Sequence, residues 1–244
     1  MPGIGSINLK VVILDTDYYA MQSINGYLAW DRRTRVTYMT TDLDDFWTYL
    51  RDVPEAELPD VVIMDADHLG DIEHIKVVLA EVQAFLPSTM LICLSQTNSP
   101  RLIETVAAAG ARAFLLKHEV GMQIAWAIVY AMDQDFVVTP NVARMVKDSR
   151  MTRVFQAAIL PEQRDYPEMT DRIRQAIRLC VIEGMPAHLA ADEMGISLHT
   201  IRGYIKEGYR ILESYDQYEY PTDMTPQERA FMRFTALAKE KNHS

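Results

Sequence analysis

Cysteine is scarce: Cys93 and Cys180 are the only two in 244 residues. Each lies in an element expected to be buried, so reduced thiols and a cytoplasmic location are expected rather than a disulfide framework. Long apolar runs are missing as well. No stretch reaches the roughly 18 residues that a bilayer-spanning helix requires, so no membrane association is expected. Met1 to Asn8 lack the basic segment and long apolar run of a secretory signal. No internal repeat and no low-complexity tract occurs. Positive charge is also in deficit, with 24 Lys and Arg against 34 Asp and Glu and a net charge of −10. Such a chain is poorly suited to coating nucleic acid non-specifically. A small DNA-reading module with a few well-placed cations remains compatible with it.

Hydrophobic residues make up 49% and charged residues 24%, an ordinary globular balance. The length suits one large or two small domains. Most of the negative charge lies early. Up to Arg144 there are ten basic and nineteen acidic residues, and beyond it fourteen and fifteen.

Residues 10 to about 132 alternate short apolar runs with longer mixed segments of helical spacing. The runs are Val11–Leu14, Arg35–Met39, Val61–Met64, Met90–Leu94 and Ala113–Leu116. Strands alternating with helices predict a parallel sheet with crossover helices. Five of each in this length suggest the smaller, flavodoxin-like doubly wound sheet, with strand order 2-1-3-4-5. The fifth helix is expected over Met122–Met132. Phe136–Met145 reads as a short continuation with its own helix. Lys147–Met169, charged and containing Pro161 and Pro167, reads as a linker that is partly helical around Val154–Ile159. From Thr170 onward the pattern is wholly helical.

Single polar residues close four of the strands: Asp15, Asp65, Ser95 and Lys117. The carboxyl edge of a parallel sheet is where open α/β folds place ligand sites. A carboxylate pair, a hydroxyl and a lysine meeting there suggest a phosphorylatable aspartate. His68 has no His or Cys partner at ligand spacing and reads as a solvated loop residue. Asp42, Asp44 and Asp45 read as a helix N-terminus interacting with the dipole.

The pieces Pro59-Asp60-Val61-Val62-Ile63-Met64-Asp65, Leu94-Ser95 and Ala109-Gly110-Ala111-Arg112-Ala113-Phe114-Leu115-Leu116-Lys117 stand in order after the Asp15 strand. With them, the stretch 10–145 resembles the receiver domain of bacterial response regulators. The resemblance implies that Asp65 accepts a phosphoryl group, a recognised role for a carboxylate. It implies that Asp15 helps to hold Mg²⁺ together with Asp65, since the ion prefers oxygen ligands. Lys117 is then a point charge for the phosphoryl oxygens, Ser95 a hydrogen-bond partner, and Phe114 an aromatic whose packing differs between states. The chain departs from the family where a second acid is normal after strand 1. Thr16 stands there, a poorer Mg²⁺ ligand. Asp17 and Asp67 are the candidates to supply the missing charge, and Asp67 can equally repel a phosphodonor. Gln96 follows Ser95 where a small residue is typical, and the loop after Asp65 lacks its usual proline.

The helical part begins with Thr170–Glu183, ended by Gly184. Pro186 opens a second helix, Ala187–Met194. Ala191-Asp192-Glu193-Met194-Gly195-Ile196-Ser197 is then a tight turn between crossing helices, with Ser197 as cap. Thr200-Ile201-Arg202-Gly203-Tyr204-Ile205-Lys206 follows. Residues 169–213 resemble the LuxR-type helix-turn-helix of the NarL/FixJ class. That resemblance makes His199, Thr200, Arg202, Gly203, Tyr204 and Lys206 the DNA-facing residues. Arg202 is the base reader, because its fork can grip guanine. Gly203 removes one side-chain contact, and Glu207 is unfavourable near phosphate. The family's short fourth helix is replaced by a loop, Tyr215–Met224, and a new helix beginning at Thr225-Pro226-Gln227-Glu228 with a capping box. Phe231, Phe234, Leu237 and Ala238 form an apolar stripe that packs on its own module or makes a dimer contact.

The expected organisation is a receiver over residues 1–145, a linker over 146–168, a DNA-binding helix-turn-helix over 169–214 and a C-terminal extension over 215–244. The expected function is a two-component response regulator whose phosphorylation controls DNA binding and transcription. Its partners are promoter DNA, a sensor histidine kinase and a second copy of the chain. The alternatives are a phosphorylation-independent regulator and a protein-interaction adaptor. No further catalytic constellation follows Lys117, so an enzymatic output is not expected.

Overall fold

The computed structural model describes residues 7–67, 69–215 and 218–238. These fall into two compact units, Ile7–Pro161 and Glu162 onward.

In the first unit the apolar runs form β1 (Leu9–Leu14), β2 (Thr34–Thr40), β3 (Val61–Asp65), β4 (Met90–Ser95) and β5 (Ala113–Leu116). Val61–Asp65 is buried throughout, as a strand covered on both faces must be. The crossover helices are α1 (Tyr18–Ala29), α2 (Leu43–Asp52), α3 (Ile72–Phe85) and α4 (Pro100–Ala108), and beyond β5 come α5 (Lys117–Val120) and α6 (Ile124–Ala131). Local chemistry sets their starts. Asp17 accepts from the Tyr19 and Ala20 amides to cap α1. Asp42 accepts from the Asp44 and Asp45 amides to cap α2, which places those two acids in the first turn.

The sheet corrects the expected five strands. All pairs are parallel and the order is β2-β1-β3-β4-β5-β6-β7, with β6 at Val137–Val138 and β7 at Ala158–Ile159. Two-residue strands are too short to show alternation, and their pairing partners alone define them.

The expected linker over 146–168 is corrected too. Through Pro161 it belongs to the first unit. Beyond α7 (Pro140–Met145), α8 (Thr152–Phe155) leads into β7. Arg153 anchors this segment. Its guanidinium donates to the Ala111 carbonyl at 2.9 Å, the Asp135 carbonyl at 2.8 Å and the Asp135 carboxylate at 3.1 Å. It also lies over the Phe136 ring, 5.2 Å from the centroid. One charge of this stretch, that of Arg153, is thus held by carbonyl groups and the Asp135 carboxylate.

The second unit is helical: α9 (Asp171–Ile177), a wide π turn at Arg178–Ile182, α10 (Ala187–Met194), α11 (Leu198–Ser214) and α12 (Pro226–Phe234). Gly195 ends α10 at φ +63°, a left-handed position that suits glycine. Ser197 caps α11 by accepting from the Thr200 amide. Ala176, Leu179, Ala190, Ala191, Met194 and Ile201 form the core between these helices. At Gly208 a β-carbon would stand 2.5 Å from Ile177 Cγ1, so α11 and α9 pack nearly backbone to side chain.

The C-terminal extension over 215–244, so far as it is described, is part of this unit. Phe231 and Phe234 are buried, the Thr225–Glu228 capping box forms, and Gln227 Nε2 donates to the Cys180 carbonyl at 3.1 Å. Its last residues meet the unit's first ones, with the Arg164 amide donating to the Ala236 carbonyl at 2.8 Å. The apolar stripe is therefore spent on its own module. No helix of the described residues is long and apolar enough to cross a membrane.

Candidate functional site

Asp15 follows β1 directly, Asp65 ends β3, Ser95 ends β4 and Lys117 follows β5. Parallel registry brings these four strand ends to one edge of the sheet. Asp15 and Asp65 are built alike. Each offers Oδ1 to the amide two residues on, Asp17 N at 3.0 Å and Asp67 N at 3.2 Å. This local turn is characteristic of aspartate. It leaves Oδ2 of both facing Lys117, whose ammonium lies 2.8 Å from Asp15 Oδ2 and 3.3 Å from Asp65 Oδ2. Thr16 Oγ1 donates to Asp65 Oδ2 at 3.4 Å.

All three charges are withdrawn from water, Asp15 at 1%, Asp65 at 2% and the Lys117 side chain at 12% exposure. Burial pushes the Asp15 carboxyl above its usual range. Lys117 offsets part of that rise, and the Asp65 charge adds to it. Cys93, fully buried beside the cluster, is pushed up to about 12 by burial and then by Asp65, so its thiol is inert.

The two acids expected to supply missing metal charge are used elsewhere. Asp17 caps α1, accepting from Tyr19 N at 2.9 Å and Ala20 N at 3.1 Å. Asp67 accepts from Ser95 Oγ at 2.6 Å, Gln96 N at 2.5 Å and Thr97 Oγ1 at 2.9 Å. Burial pushes the Asp67 carboxyl up, and these hydrogen bonds outweigh it and hold the carboxyl below its usual range. Sequence reasoning missed this role of Asp67 and the part played by Thr97. Phe114 is fully buried on β5. His68 lies outside the described residues.

Asp15, expected to help hold Mg²⁺, and Asp65 both have the Lys117 ammonium beside them in this structure. Mg²⁺ demands octahedral oxygen coordination anchored by carboxylates. Among the described residues no group of three or more His, Cys, Asp or Glu side chains is placed to hold a metal ion, while Mg²⁺ usually takes only one or two protein carboxylates. One ammonium lies against both Asp15 and Asp65, so it compensates at most one of the two negative charges.

In the second unit the residues expected at DNA divide. His199, Arg202, Gly203 and Lys206 are exposed on α11. Thr200 is half-buried, with its hydroxyl 2.8 Å from that of Ser197. Tyr204 packs partly against the core. Arg202 and Lys206, one helical turn apart, have no ion-pair partner among the described residues. Glu207 is held by Arg210 through two hydrogen bonds of 2.9 and 2.6 Å, so its charge is compensated locally.

No protein-family model matches the chain. No curated protein matches it either. Solved structures do. One of two RcsB dimers bound to two parallel DNAs is 18% identical, covers 82% of this chain and 89% of that chain, and superposes with a TM-score of 0.50. A structure of the Salmonella typhimurium RcsB response regulator is 19% identical, covers 88% and 94%, and has a TM-score of 0.49. The likeness to the first is one of fold: a parallel-sheet unit followed by a helical one.

Proposed function

We propose that this chain is a response regulator of transcription, in which the state of the first unit governs DNA reading by the second. The observation that carries the reading is the pair Arg202 and Lys206. Both are exposed cations with no ion-pair partner among the described residues, on the helix that follows a helix-turn-helix turn, where a recognition helix meets the major groove. From Glu162 onward the chain has eleven basic and fourteen acidic residues. Binding therefore depends on a few placed cations, not on bulk charge. RcsB, similar in fold, has been captured as dimers on DNA. A homodimer of this chain on a two-fold promoter site is the corresponding assembly.

The input is the Asp15–Asp65–Lys117 cluster. In one version a sensor histidine kinase phosphorylates Asp65, whose carboxylate has Lys117 beside it to pair with the incoming charge. The version without phosphate is favoured by the engagement of Lys117 with Asp15 and of Ser95 with Asp67.

Two measurements test the reading. Fluorescence anisotropy with promoter fragments should show binding by the wild type and its loss in the Arg202→Ala/Lys206→Ala variant. Equal binding by both, or none by either, removes the DNA-reading assignment and leaves a protein-interaction adaptor. Intact mass after incubation with a small phosphodonor, compared with Asp65→Ala, separates the two inputs.

A further inference from the structure

The loop from β4 to α4 is held by one side chain from a different strand end. Asp67, in the loop that follows β3, receives three donors from three consecutive residues: the Ser95 hydroxyl at 2.6 Å, the Gln96 amide at 2.5 Å and the Thr97 hydroxyl at 2.9 Å. The Ser95 hydroxyl also faces the Thr97 carbonyl. It has one proton to give, and a carboxylate is the stronger acceptor. The Thr97 amide donates to Ser95 Oγ at 3.1 Å, closing the arrangement. Oxygens of one carboxylate thus organise the whole first part of the loop.

We propose that Asp67 is a built-in anion for this loop. Its carboxylate gathers Ser95, Gln96 and Thr97 as an anion arriving at Asp65 otherwise would, so the loop is set with no group added. This rests on the reading of the Asp65 edge as the signal-receiving site. Asp67 is a positioning residue, acting through the loop. Any phosphoryl group on Asp65 has to compete with it for the Ser95 hydroxyl.

The setting reaches beyond the loop. Helix α4 starts at Pro100, immediately after it. The α4 residue Glu104 accepts from Ser149 Oγ at 2.7 Å, and the Ala107 carbonyl accepts from Arg153. The same helix is therefore tied to the segment that leads out of the first unit.

The test is amide hydrogen exchange across residues 95–99 in the full chain, for wild type, Asp67→Ala and Asp67→Asn. Without added anion the wild type should be protected, and both variants should exchange about tenfold faster, the change expected for one or two net hydrogen bonds. Formate should restore protection to Asp67→Ala, since it returns a carboxylate to the vacated place, whereas chloride at equal ionic strength should not. Wild-type exchange rates in the variants overturn the proposal. So does a loss that formate fails to restore, because that result makes Asp67 a structural brace and not an anion. Asp67→Asn, nearly equal in volume, guards against misfolding of the alanine variant. Asp65→Asn should keep the protection, which separates the clamp from the phosphoacceptor assignment. None of these readouts involves DNA, so failure of the DNA reading leaves the result intact.

Discussion

Lys117 and Asp15 face one another at 2.8 Å across the end of the sheet, both largely withdrawn from water. The ammonium is shared with Asp65 at 3.3 Å, so one positive charge serves two buried carboxylates. That asymmetry makes the cluster the electrostatic weak point of the first unit.

Removing the ammonium should be costly. Lys117→Met removes the ammonium that lies against two buried carboxylates, and about 3–5 kcal/mol of stability should be lost at neutral pH. Urea unfolding would measure it. The loss should shrink in acid, where the carboxylates take up protons. Calorimetric Mg²⁺ titration should be silent for the wild type and show binding in Lys117→Met, from which the competing ammonium is gone. Binding of Mg²⁺ by the wild type would show that the cation can displace Lys117.

Asp15 and Asp67 should pull stability in opposite directions with pH. The folded-state pKa of Asp15 is raised, by burial above all, so the folded state holds that proton more tightly than the unfolded chain. Its contribution falls as pH rises from the ordinary value of 3.8 through the folded value. Asp67 is depressed despite its burial, so its contribution is present above 3.8 and is lost as pH falls through the lower folded value. Melting temperatures in mild acid should show Asp15→Asn gaining on the wild type as pH rises. Asp67→Asn should instead fall behind it.

Arg33 and Asp31 make a second buried pair, with Nε–Oδ1 at 2.9 Å and Nη2–Oδ2 at 2.6 Å, and the guanidinium lies 3.9 Å from the Trp126 ring centroid. Asp31→Ala strands a buried guanidinium and should cost about 3–5 kcal/mol by denaturant unfolding. Replacing both partners with apolar residues should recover most of that loss. Recovery distinguishes removal of the pair from breakage of it.

On α11, Glu207 and Arg210 neutralise each other. Glu207→Gln should release Arg210 and steepen the salt dependence of DNA binding by about one unit of slope. Lys206→Ala should flatten it by a similar amount for every DNA sequence, whereas Arg202→Ala should cost about 1–3 kcal/mol and relax preference at one base pair. Binding isotherms at several salt concentrations measure all three.

The main sheet was legible in the residues alone. Strands β3, β4 and β5 follow from continuous apolar runs, because a strand buried on both faces must be apolar at nearly every position, whereas the edge strand β2 mixes polar and apolar residues. The helix starts were legible for the same kind of reason. Asp42, Ser197 and Thr225 cap their helices through side-chain contacts two or three residues away, so nearby residues decide them. The convergence of Asp15, Asp65, Ser95 and Lys117 could be read because parallel order sends strand ends to one edge.

Tertiary structure alone decided the rest. Strands β6 and β7 exist by pairing with what lies beside them, and two residues carry no period. Arg153 turned an apparent linker into part of the first unit through carbonyl groups 18 to 46 residues away. Asp67 looked like a metal ligand or a repelling charge, yet its partners lie 28 to 30 residues on. A carboxylate's role is set by the donors that surround it. The sequence by itself placed that carboxylate at the edge of the sheet, and only the folding of β4 beside β3 determined which donors it would meet.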